Sequence, residues 1–489
     1  MSSPTSRSGL LSTYDSGDYY CELLGSAATP HPVFEIIEHQ LSTISEEELR
    51  NRAIAAENDL FDLGVTFTVY SEKSAIDRVL PFDMIPRVLS AAEWSVLEAG
   101  VKQRVATINL FLADIYGPQH VIKDGIIPAP LIFGNSNFRK EMQGVKVTNG
   151  VYVAICGIDI VRDQAGQFLV LEDNARTPSG VSYVLENRRM MLRAWPELFH
   201  GLGVQSVDSY GARLRQALAE NSPGSAADPH IVLLSPGTYN SAYFEHVFLA
   251  REMGITLVEG RDLTVIDSRV YLRTIAGLRR VDTVYRRIDD DFLDPTVFRE
   301  DSILGVPGIM DAYVKGNVQL ANGVGTGVAD DKAVYAYMPR LIRYYLDQDP
   351  IIPNVETHLC AEPEGLAHTL ANLETLVVKP VGASGGYGVM IGPRASKAEI
   401  EETRAKIIED PGNFISQPVI GLSVCPTVCD DGIEPRHIDL RPFAVTGKET
   451  WVLPGGLTRV ALRKNSLVVN SSQGGGSKDT WVLFPEAGR

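Results

Sequence analysis

The sequence is poor in cysteine and has neither a long apolar run nor an excess of basic residues. Its five cysteines among 489 residues are an odd, sparse set that does not suit a disulfide framework. Cys425 and Cys429 are separated by three residues, and no second pair stands at zinc-binding spacing. We therefore interpret all five as buried or incidental thiols.

No apolar stretch reaches the ~18 residues that a membrane-spanning helix needs. The N-terminus, Met1–Gly9, is polar and lacks the apolar core of a signal peptide. The formal net charge is −16, which repels anionic lipid and nucleic acid alike. These absences predict a cytoplasmic protein with no membrane and no nucleic-acid partner.

What the chain does contain is typical of a folded globular protein. The apolar fraction is 44% and the charged fraction 22%, and the length suggests roughly three domains. A helical stretch is predicted around Pro32–Ala55, after an irregular start. A second helix begins at Ser90 with a capping box to Glu93, follows one apolar face to Ile115 and ends at Gly117-Pro118.

The next patterns predict a hairpin and then a parallel sheet. Runs Val151–Val161 and Phe168–Glu172 flank turn-forming residues 163–166 and indicate an antiparallel pair. After a linker at 220–229, strand Ile231–Ser235, helix Ser241–Met253 and strand Ile255–Glu259 form a βαβ pattern. The last third predicts an α+β unit, so the fold class is mixed α+β and α/β.

A phosphate-binding loop is predicted directly after a strand that ends in a lysine. Leu376–Lys379 is apolar up to Lys379, and the loop after it contains the following phosphate-binding candidates: Gly382, Ser384, Gly385, Gly386 and Gly388. Glycines let backbone N–H groups approach phosphate oxygens, and the lysine adds a point charge. The loop lacks the Gly-Lys-Ser/Thr end of a Walker A motif, and a dinucleotide-binding fingerprint also fits poorly. A simple flexible turn is the alternative.

A second cation candidate is Lys332, at the predicted start of the helix Lys332–Leu346. A helix N-terminus favours phosphate, and a lysine there strengthens the attraction. Taken alone, an ordinary solvated lysine explains this residue as well.

The third feature is a group of hard oxygen ligands on the predicted hairpin. Asp159 lies on its first strand, and Glu172 and Asn174 lie at the end of the second. Two carboxylates and a carboxamide suit Mg²⁺, which also takes phosphate oxygens and water. A general acid–base pair and a merely polar strand end are the alternatives.

Together these pieces resemble the ATP-grasp superfamily, whose members carry such lysines, a glycine loop and a metal-binding hairpin. Here the hairpin precedes the glycine loop by roughly 200 residues, the reverse of the usual order. The chain therefore resembles the circularly permuted ATP-grasp family of bacteria, some of whose members were labelled glutathionylspermidine-synthase-like. Ser235–His246, Tyr285–Asp291 and Pro454–Arg459 are also similar to segments of that family.

The resemblance implies a permuted ATP-grasp fold with a Rossmann-like pre-ATP-grasp domain. It divides the chain into an N-terminal extension at 1–85, irregular and then helical, and a metal-binding half at 86–222. Residues 230–320 would be the pre-ATP-grasp or substrate domain, and 325–489 the nucleotide-binding half.

The resemblance also implies ATP and Mg²⁺ as cofactors and an ATP-dependent carboxylate–amine ligase acting through an acylphosphate. Adenine would contact Phe414–Ile420 through backbone groups of Gln417 and Val419. Cationic candidates for the acylphosphate are Arg441, Arg459 and Arg176. Arg286 and Arg287 would face substrate or form a buried ion-pair network.

The substrates would be small-molecule or peptide carboxylates and amines. A kinase or phosphotransferase and a non-catalytic nucleotide-binding protein remain alternatives, whereas the lysine positions disfavour a dehydrogenase. The sequence does not determine the oligomeric state, and a homo-oligomer is compatible with it.

Overall fold

Helices and strands are interspersed in the first two thirds of the chain, and a run of strands follows the last helix. The computed structural model describes residues 9–25, 34–62, 64–71, 74–199, 202–224, 228–382, 388–464, 466, 469 and 474–485. The α-helices are α1 (Phe34–Ser42), α2 (Glu46–Asp62), α3 (Ala91–Ile115), α4 (His120–Lys123), α5 (Ala129–Phe133), α6 (Val181–Ala194), α7 (Tyr210–Glu220), α8 (Tyr243–Met253), α9 (Asp290–Leu293), α10 (Ile309–Val314), α11 (Lys332–Leu346), α12 (Pro363–Ala371) and α13 (Lys397–Glu409).

The strands form one large sheet, two four-stranded sheets and two smaller ones. They are β1 (Thr66–Ser71), β2 (Ser74–Val79), β3 (Phe82–Leu89), β4 (Ile155–Arg162), β5 (Phe168–Asn174), β6 (Ile231–Leu234), β7 (Thr256–Val258), β8 (Leu263–Ile266), β9 (Arg269–Thr274), β10 (Gly277–Arg280), β11 (Thr283–Arg286), β12 (Gln319–Ala321), β13 (His358–Leu359), β14 (Leu376–Pro380), β15 (Met390–Ile391), β16 (Phe414–Pro418), β17 (Val424–Cys429), β18 (Gly432–Arg441), β19 (Phe443–Thr446), β20 (Thr450–Val452), β21 (Leu457–Val460) and β22 (Gly476–Val482).

The large sheet joins strands from opposite ends of the chain. Its order is β20-β19-β4-β18-β21-β22-β3, with β5 paired to β4 and β17 paired to β18. The early hairpin β4–β5 therefore lies beside the late strands β18 and β19. Residues 300 positions apart in sequence come into side-chain contact on this sheet, as the ion pair between Asp159 and Arg459 shows.

A parallel sheet has the order β12-β11-β6-β7, and helix α8 connects β6 to β7. The predicted βαβ unit is therefore confirmed. β6, β11 and β12 are buried along their whole length, as is typical of parallel strands covered on both faces, whereas the edge strand β7 is buried only at Val258. Strand order reverses between β6 and β11, so Ser235 and Arg287 leave the sheet at the same edge.

A smaller antiparallel sheet, with the order β13-β16-β14-β15, carries Lys379. It has its own core, in which Val378 packs with Ile400 and Ile407 of α13. This unit is joined to the large sheet through the segments 347–357 and 419–423.

Local sequence signals account for some helix limits and not for others. Ser90 accepts from the backbone N–H of Glu93, whose carboxylate accepts from that of Ser90, so the predicted capping box begins α3. The helical stretch predicted around Pro32–Ala55 forms two helices, α1 and α2. The division falls at Ser45, which accepts a hydrogen bond from the N–H of Glu48 and starts the second helix.

The N-terminal extension contains strands as well as helices. Strands β1 and β2 pair with each other, and β3 joins the edge of the large sheet by pairing parallel to β22. The predicted limit at residue 86 therefore falls inside β3. Among the described residues, no helix combines the length and apolarity that a membrane crossing requires.

Candidate functional site

Two arginines enclose Asp159 in the middle of the large sheet. Arg441 at the end of β18 donates from Nε and Nη2 to the two oxygens of Asp159, at 2.5 and 2.8 Å. Arg459 on β21 donates to Asp159 at 2.6 Å and also to Asp439 of β18. The sequence identified these residues as separate candidates, and in the fold they form one buried charge cluster.

Asp159 is ionised in this setting. Burial opposes its charge, but the guanidinium groups of Arg441 and Arg459 outweigh burial and hold the pKa of Asp159 below its ordinary value. Asp159 is 1% exposed. Removing either arginine would therefore leave a poorly compensated buried charge.

Glu172 and Asn174 flank Asp159 on the same hairpin. In the antiparallel register Glu172 lies opposite Asp159, and Asn174 lies opposite Gly157. Asn174 Nδ2 is 3.5 Å from Asp159 Oδ1. Loss of solvation, together with the negative charge of Asp159, raises the pKa of Glu172. The hairpin thus presents three hard oxygen groups at one place.

Glu172 also faces the two lysines predicted to bind phosphate. Its carboxylate lies 4.0 Å from Nζ of Lys332 and 3.9 Å from Nη2 of Arg441. Lys332 is the first residue of α11, whose N-cap Asp331 accepts from the N–H groups of Ala333 and Val334. The N-terminus of α11 therefore lies beside the hairpin that carries the carboxylates.

The glycine loop begins beside the same helix start, and its far end returns beside the strand that carries Lys379. The backbone N–H of Lys332 donates to the carbonyl of Val381, just before Gly382. Gly388 has φ +71°, and a Cβ there would lie 3.0 Å from Pro380, beside Lys379. The loop therefore leaves and returns next to the two lysines. Ser384, Gly385 and Gly386 lie outside the described residues.

Lys379 is held by a glutamine that the sequence assigned to another role. Its Nζ donates to Gln417 Oε1 at 2.7 Å, and Gln417 donates to Thr357. Burial lowers the pKa of Lys379 to about 8, with Glu172 opposing and Lys332 reinforcing the shift. The predicted adenine contacts were backbone groups of Gln417 and Val419. The structure places the Gln417 side chain on the lysine and a half-buried Val419 just after β16.

Two further contacts hold the hairpin in place. Arg104 of α3 donates to both oxygens of Asp173, which alternates with Glu172 and Asn174 and points to the opposite face. Asn322 accepts from the N–H groups at 154 and 155 and donates to the carbonyls at 155, 175 and 176. One side chain thus joins the start of β4 to the end of β5.

Comparison with known proteins bears directly on this site. The profile of the family described as circularly permuted ATP-grasp type 2 matches residues 86–461, most of the chain. The chain belongs to the circularly permuted ATP-grasp type 2 family. The resemblance and the fold class predicted from sequence are both confirmed.

Relatives and one solved structure agree with this assignment. An uncharacterized protein of Synechocystis sp. is 52% identical over 474 residues, which are 97% of this chain and 98% of that protein. A protein of Frankia casuarinae, named "Putative glutamate--cysteine ligase 2-2", is 40% identical over 95% of this chain but only 53% of its own length.

A glutathione synthetase-like effector from Globodera pallida has the same overall fold. The TM-score is 0.57 at 11% identity, covering 90% of this chain and 98% of that one. At such low identity the likeness extends to the fold alone.

Arg176, the third predicted arginine, lies apart from Asp159 in this ATP-grasp site. Its guanidinium is 3.5 Å from Asp289 and 3.6 Å from Asp330. Asp330 also accepts from the backbone N–H groups of Ala175 and Arg176. Burial raises the pKa of Asp330 to about 7, although Arg176 and the two N–H donors oppose that shift.

Arg286 and Arg287 are buried in structural ion pairs. Arg286 pairs with Asp290 at 2.7 Å and donates to the carbonyls of Asn322 and Gly323. Arg287 pairs with Glu245 and donates to the carbonyl of Pro178. The sequence left open whether these arginines face substrate or form a buried ion-pair network, and the structure shows buried ion pairs.

Several residues of this ATP-grasp site escaped the sequence analysis. Asp330 directly precedes the Asp331-Lys332 helix start, so its position was a usable signal. Asn322 lies in a glycine-rich stretch with no distinguishing pattern. Asp173 alternates with the predicted ligands Glu172 and Asn174, and no role was predicted for it. Nothing in the sequence marks Thr357.

The hairpin residues suit a divalent cation by their chemistry and register. Glu172 and Asn174 offer a carboxylate and a carboxamide carbonyl at one strand end. Both oxygens of Asp159 are taken by arginines in this structure. Among the described residues, no group of three or more His, Cys, Asp and Glu side chains is arranged around a common point.

Proposed function

We propose that the protein is an ATP-dependent ligase that activates a carboxylate as an acylphosphate and transfers it to an amine, with Mg²⁺ as cofactor. One observation carries the proposal. The carboxylate of Glu172 lies within 4.0 Å of both Lys332 and Arg441 and acts electrostatically on Lys379, and the glycine loop begins beside Lys332. A phosphoryl donor and an acidic acceptor would therefore meet at one place.

Three cations would hold the triphosphate and the acceptor. Lys379 and Lys332 would neutralise phosphate oxygens, and N–H groups of the glycine loop would surround them. Arg441 would turn from Asp159 toward the substrate carboxylate, a planar group that suits the two-pronged guanidinium. Arg459 would stay paired with Asp439 and continue to compensate its buried negative charge.

A carboxylate oxygen of the substrate would attack the γ-phosphorus. The bond between that phosphorus and the β,γ-bridging oxygen breaks, and ADP leaves as the acylphosphate forms. Positive charge held in place around the transferring group stabilises such a transition state more than any other effect. Lys332, Lys379 and Arg441 would supply that charge here.

The amine nitrogen would then attack the acyl carbon, and the bond from that carbon to the phosphate oxygen would break. Phosphate leaves, and the amine gives up its proton as the amide forms. Glu172, Asn174 and, once Arg441 has moved, Asp159 would hold Mg²⁺, which neutralises phosphate charge when bound.

The amine and acid are proposed to be small molecules or peptides. The name of the Frankia relative supports a ligase that joins a carboxylate to an amine. This chain matches just over half of that relative, so the reaction in the name cannot be assigned to the matched part alone.

Trapping the intermediate tests the ligase chemistry. Pools of amino acids, small peptides and polyamines would be screened with Mg-ATP for ADP release, and the active acid then labelled with ¹⁸O in its carboxylate. An acylphosphate route predicts ¹⁸O in the released phosphate and a hydroxamate when hydroxylamine replaces the amine. Unlabelled phosphate together with no hydroxamate would contradict the proposal.

A kinase on the same site is the second candidate. It would leave a stable phosphorylated product and release ADP at the same rate with and without an amine. A ligase predicts that ADP release beyond the first turnover depends on the amine.

A further inference from the structure

A β-hairpin far from the ATP-grasp cluster carries an unusual charge for this chain. Residues 269–281 contain four arginines and no acidic residue, in a protein whose net charge is −16. They form β9 and β10 with the turn between them. The hairpin is therefore a local cationic feature of an acidic molecule.

The hairpin projects into solvent. Every residue from Arg273 to Arg280 is exposed, and Ile275 at the tip is fully exposed. The opposite end is anchored, because Val270 and Leu272 of β9 belong to the main core. The hairpin is thus fixed to the core at one end, and both of its faces are exposed to solvent near the tip.

The outer face of the hairpin mixes arginines with apolar side chains. Leu278 lies opposite Arg273, and Arg280 lies opposite Tyr271, so these four residues share one face. Leu278 is 52% exposed. Arg280 pairs with Asp282. Arg273 on this face, and Arg279 of β10 on the opposite face, make no ion pair within the described part of the chain.

The backbone of β10 is also available for pairing. The three-stranded sheet has the order β10-β9-β8, so β10 is an edge strand. On the side away from β9 it has no strand neighbour among the described residues. An exposed edge presents unpaired N–H and C=O groups to another extended chain.

We propose that β10 and the outer face of this hairpin, Arg269–Val281, bind an extended acidic segment of a partner polypeptide by strand addition. The edge backbone would pair with the segment, the arginines would attract its carboxylates, and Ile275 and Leu278 would cover its apolar side chains. Charge complementarity identifies the occupant, because the rest of this molecule is acidic and repels such a segment. Nucleic acid fits less well, since bases use neither a strand edge nor aliphatic side chains.

The probe is a fluorescein-labelled peptide with alternating glutamate and valine, titrated with the full chain and followed by anisotropy without ATP. Wild type should bind it and should not bind the same peptide with lysine in place of glutamate. The variant Arg273→Glu/Arg279→Glu should weaken binding by about tenfold, the usual combined effect of a few exposed charge pairs. The control Lys397→Glu/Lys406→Glu on α13 reverses two exposed cations elsewhere and should bind as wild type does.

A second probe separates strand addition from charge attraction alone. The same acidic peptide, N-methylated at alternate residues, keeps its charge and loses backbone donors on one edge, so it should bind much more weakly. Equal binding of the methylated peptide would overturn strand addition. No binding of either peptide, a preference for a DNA duplex, or self-association of the chain abolished by Arg273→Glu/Arg279→Glu would each overturn the assigned partner.

Discussion

At the scale of single residues, the site depends on charges whose partners come from distant parts of the chain. Asp159 is held ionised by Arg441, which lies 282 positions later. Lys379 is held by Gln417 and faces Glu172, which belongs to the other half of the fold. Each side chain is ordinary in the sequence, and its chemistry comes from the neighbours that the permuted sheet supplies.

The lowered pKa of Lys379 predicts a pH dependence of nucleotide binding. With a pKa of about 8, Lys379 is mostly charged near pH 7 and mostly neutral near pH 9. Phosphate favours the charged form, so ATP affinity should fall by up to about tenfold as pH rises between these values. Calorimetry at both values, with buffers of different ionisation enthalpy, should also show proton uptake on binding near pH 9.

The control for that experiment is Lys379→Arg, which stays charged throughout this range. Its ATP affinity should change little between the two pH values, even where it is weaker overall. A pH dependence of the same size in Lys379→Arg would show that another group is responsible.

Residue types and spacing predicted which side chains gather here but not how they pair. Lys332, Lys379, Asp159 and Glu172 were all recognisable from motifs. The contact between the Gln417 side chain and Lys379 could not be predicted from motifs. It depends on the strand register, which sets Gln417 opposite Val377 on adjacent strands. The arginine partners of Asp159 likewise follow from a sheet order that no local pattern contains.

At the scale of elements, the hairpin β4–β5 is the part that must be placed most accurately. Its second strand carries Glu172 toward the lysines and Asp173 toward α3, where Arg104 holds it. Because side chains alternate along β5, Glu172 faces the lysines, whereas its neighbour Asp173 anchors the strand to α3. The hairpin itself was predictable from its turn and apolar runs, whereas the anchoring was not, because Arg104 belongs to a helix with no pattern pointing to this strand.

The variant Asp173→Asn tests the anchor. It leaves Arg104, which is 2% exposed, as an uncompensated buried charge. Breaking such a pair typically costs about 3–5 kcal/mol, so the free energy of unfolding should fall by about that amount and the melting temperature should drop clearly. Scanning calorimetry measures the change.

Glu401→Gln provides the matched control. It breaks the exposed pair with Arg404 on α13 and should change the free energy of unfolding by less than about 1 kcal/mol. Similar melting temperatures for Asp173→Asn and Glu401→Gln would mean that the buried pair does not anchor the hairpin.

At the scale of the whole molecule, elements from opposite ends of the chain meet in one sheet. The late strands β18 and β19 enclose the early strand β4, and the small sheet carries Lys379 to where the charge of Glu172 acts on it. Family resemblance anticipated this arrangement. The contribution of β3 to the large sheet was not anticipated, since its pairing with β22 joins segments nearly 400 residues apart.

We expect these two halves together to bind Mg-ATP. Calorimetric titration of ATP with and without Mg²⁺ would compare wild type with Glu172→Ala and Lys379→Ala, and with Lys406→Ala as an exposed control. Binding should depend on Mg²⁺ in wild type and in the control, and it should be weakened by at least about tenfold in each site variant. No binding by wild type, or equal affinity in all four proteins, would contradict it.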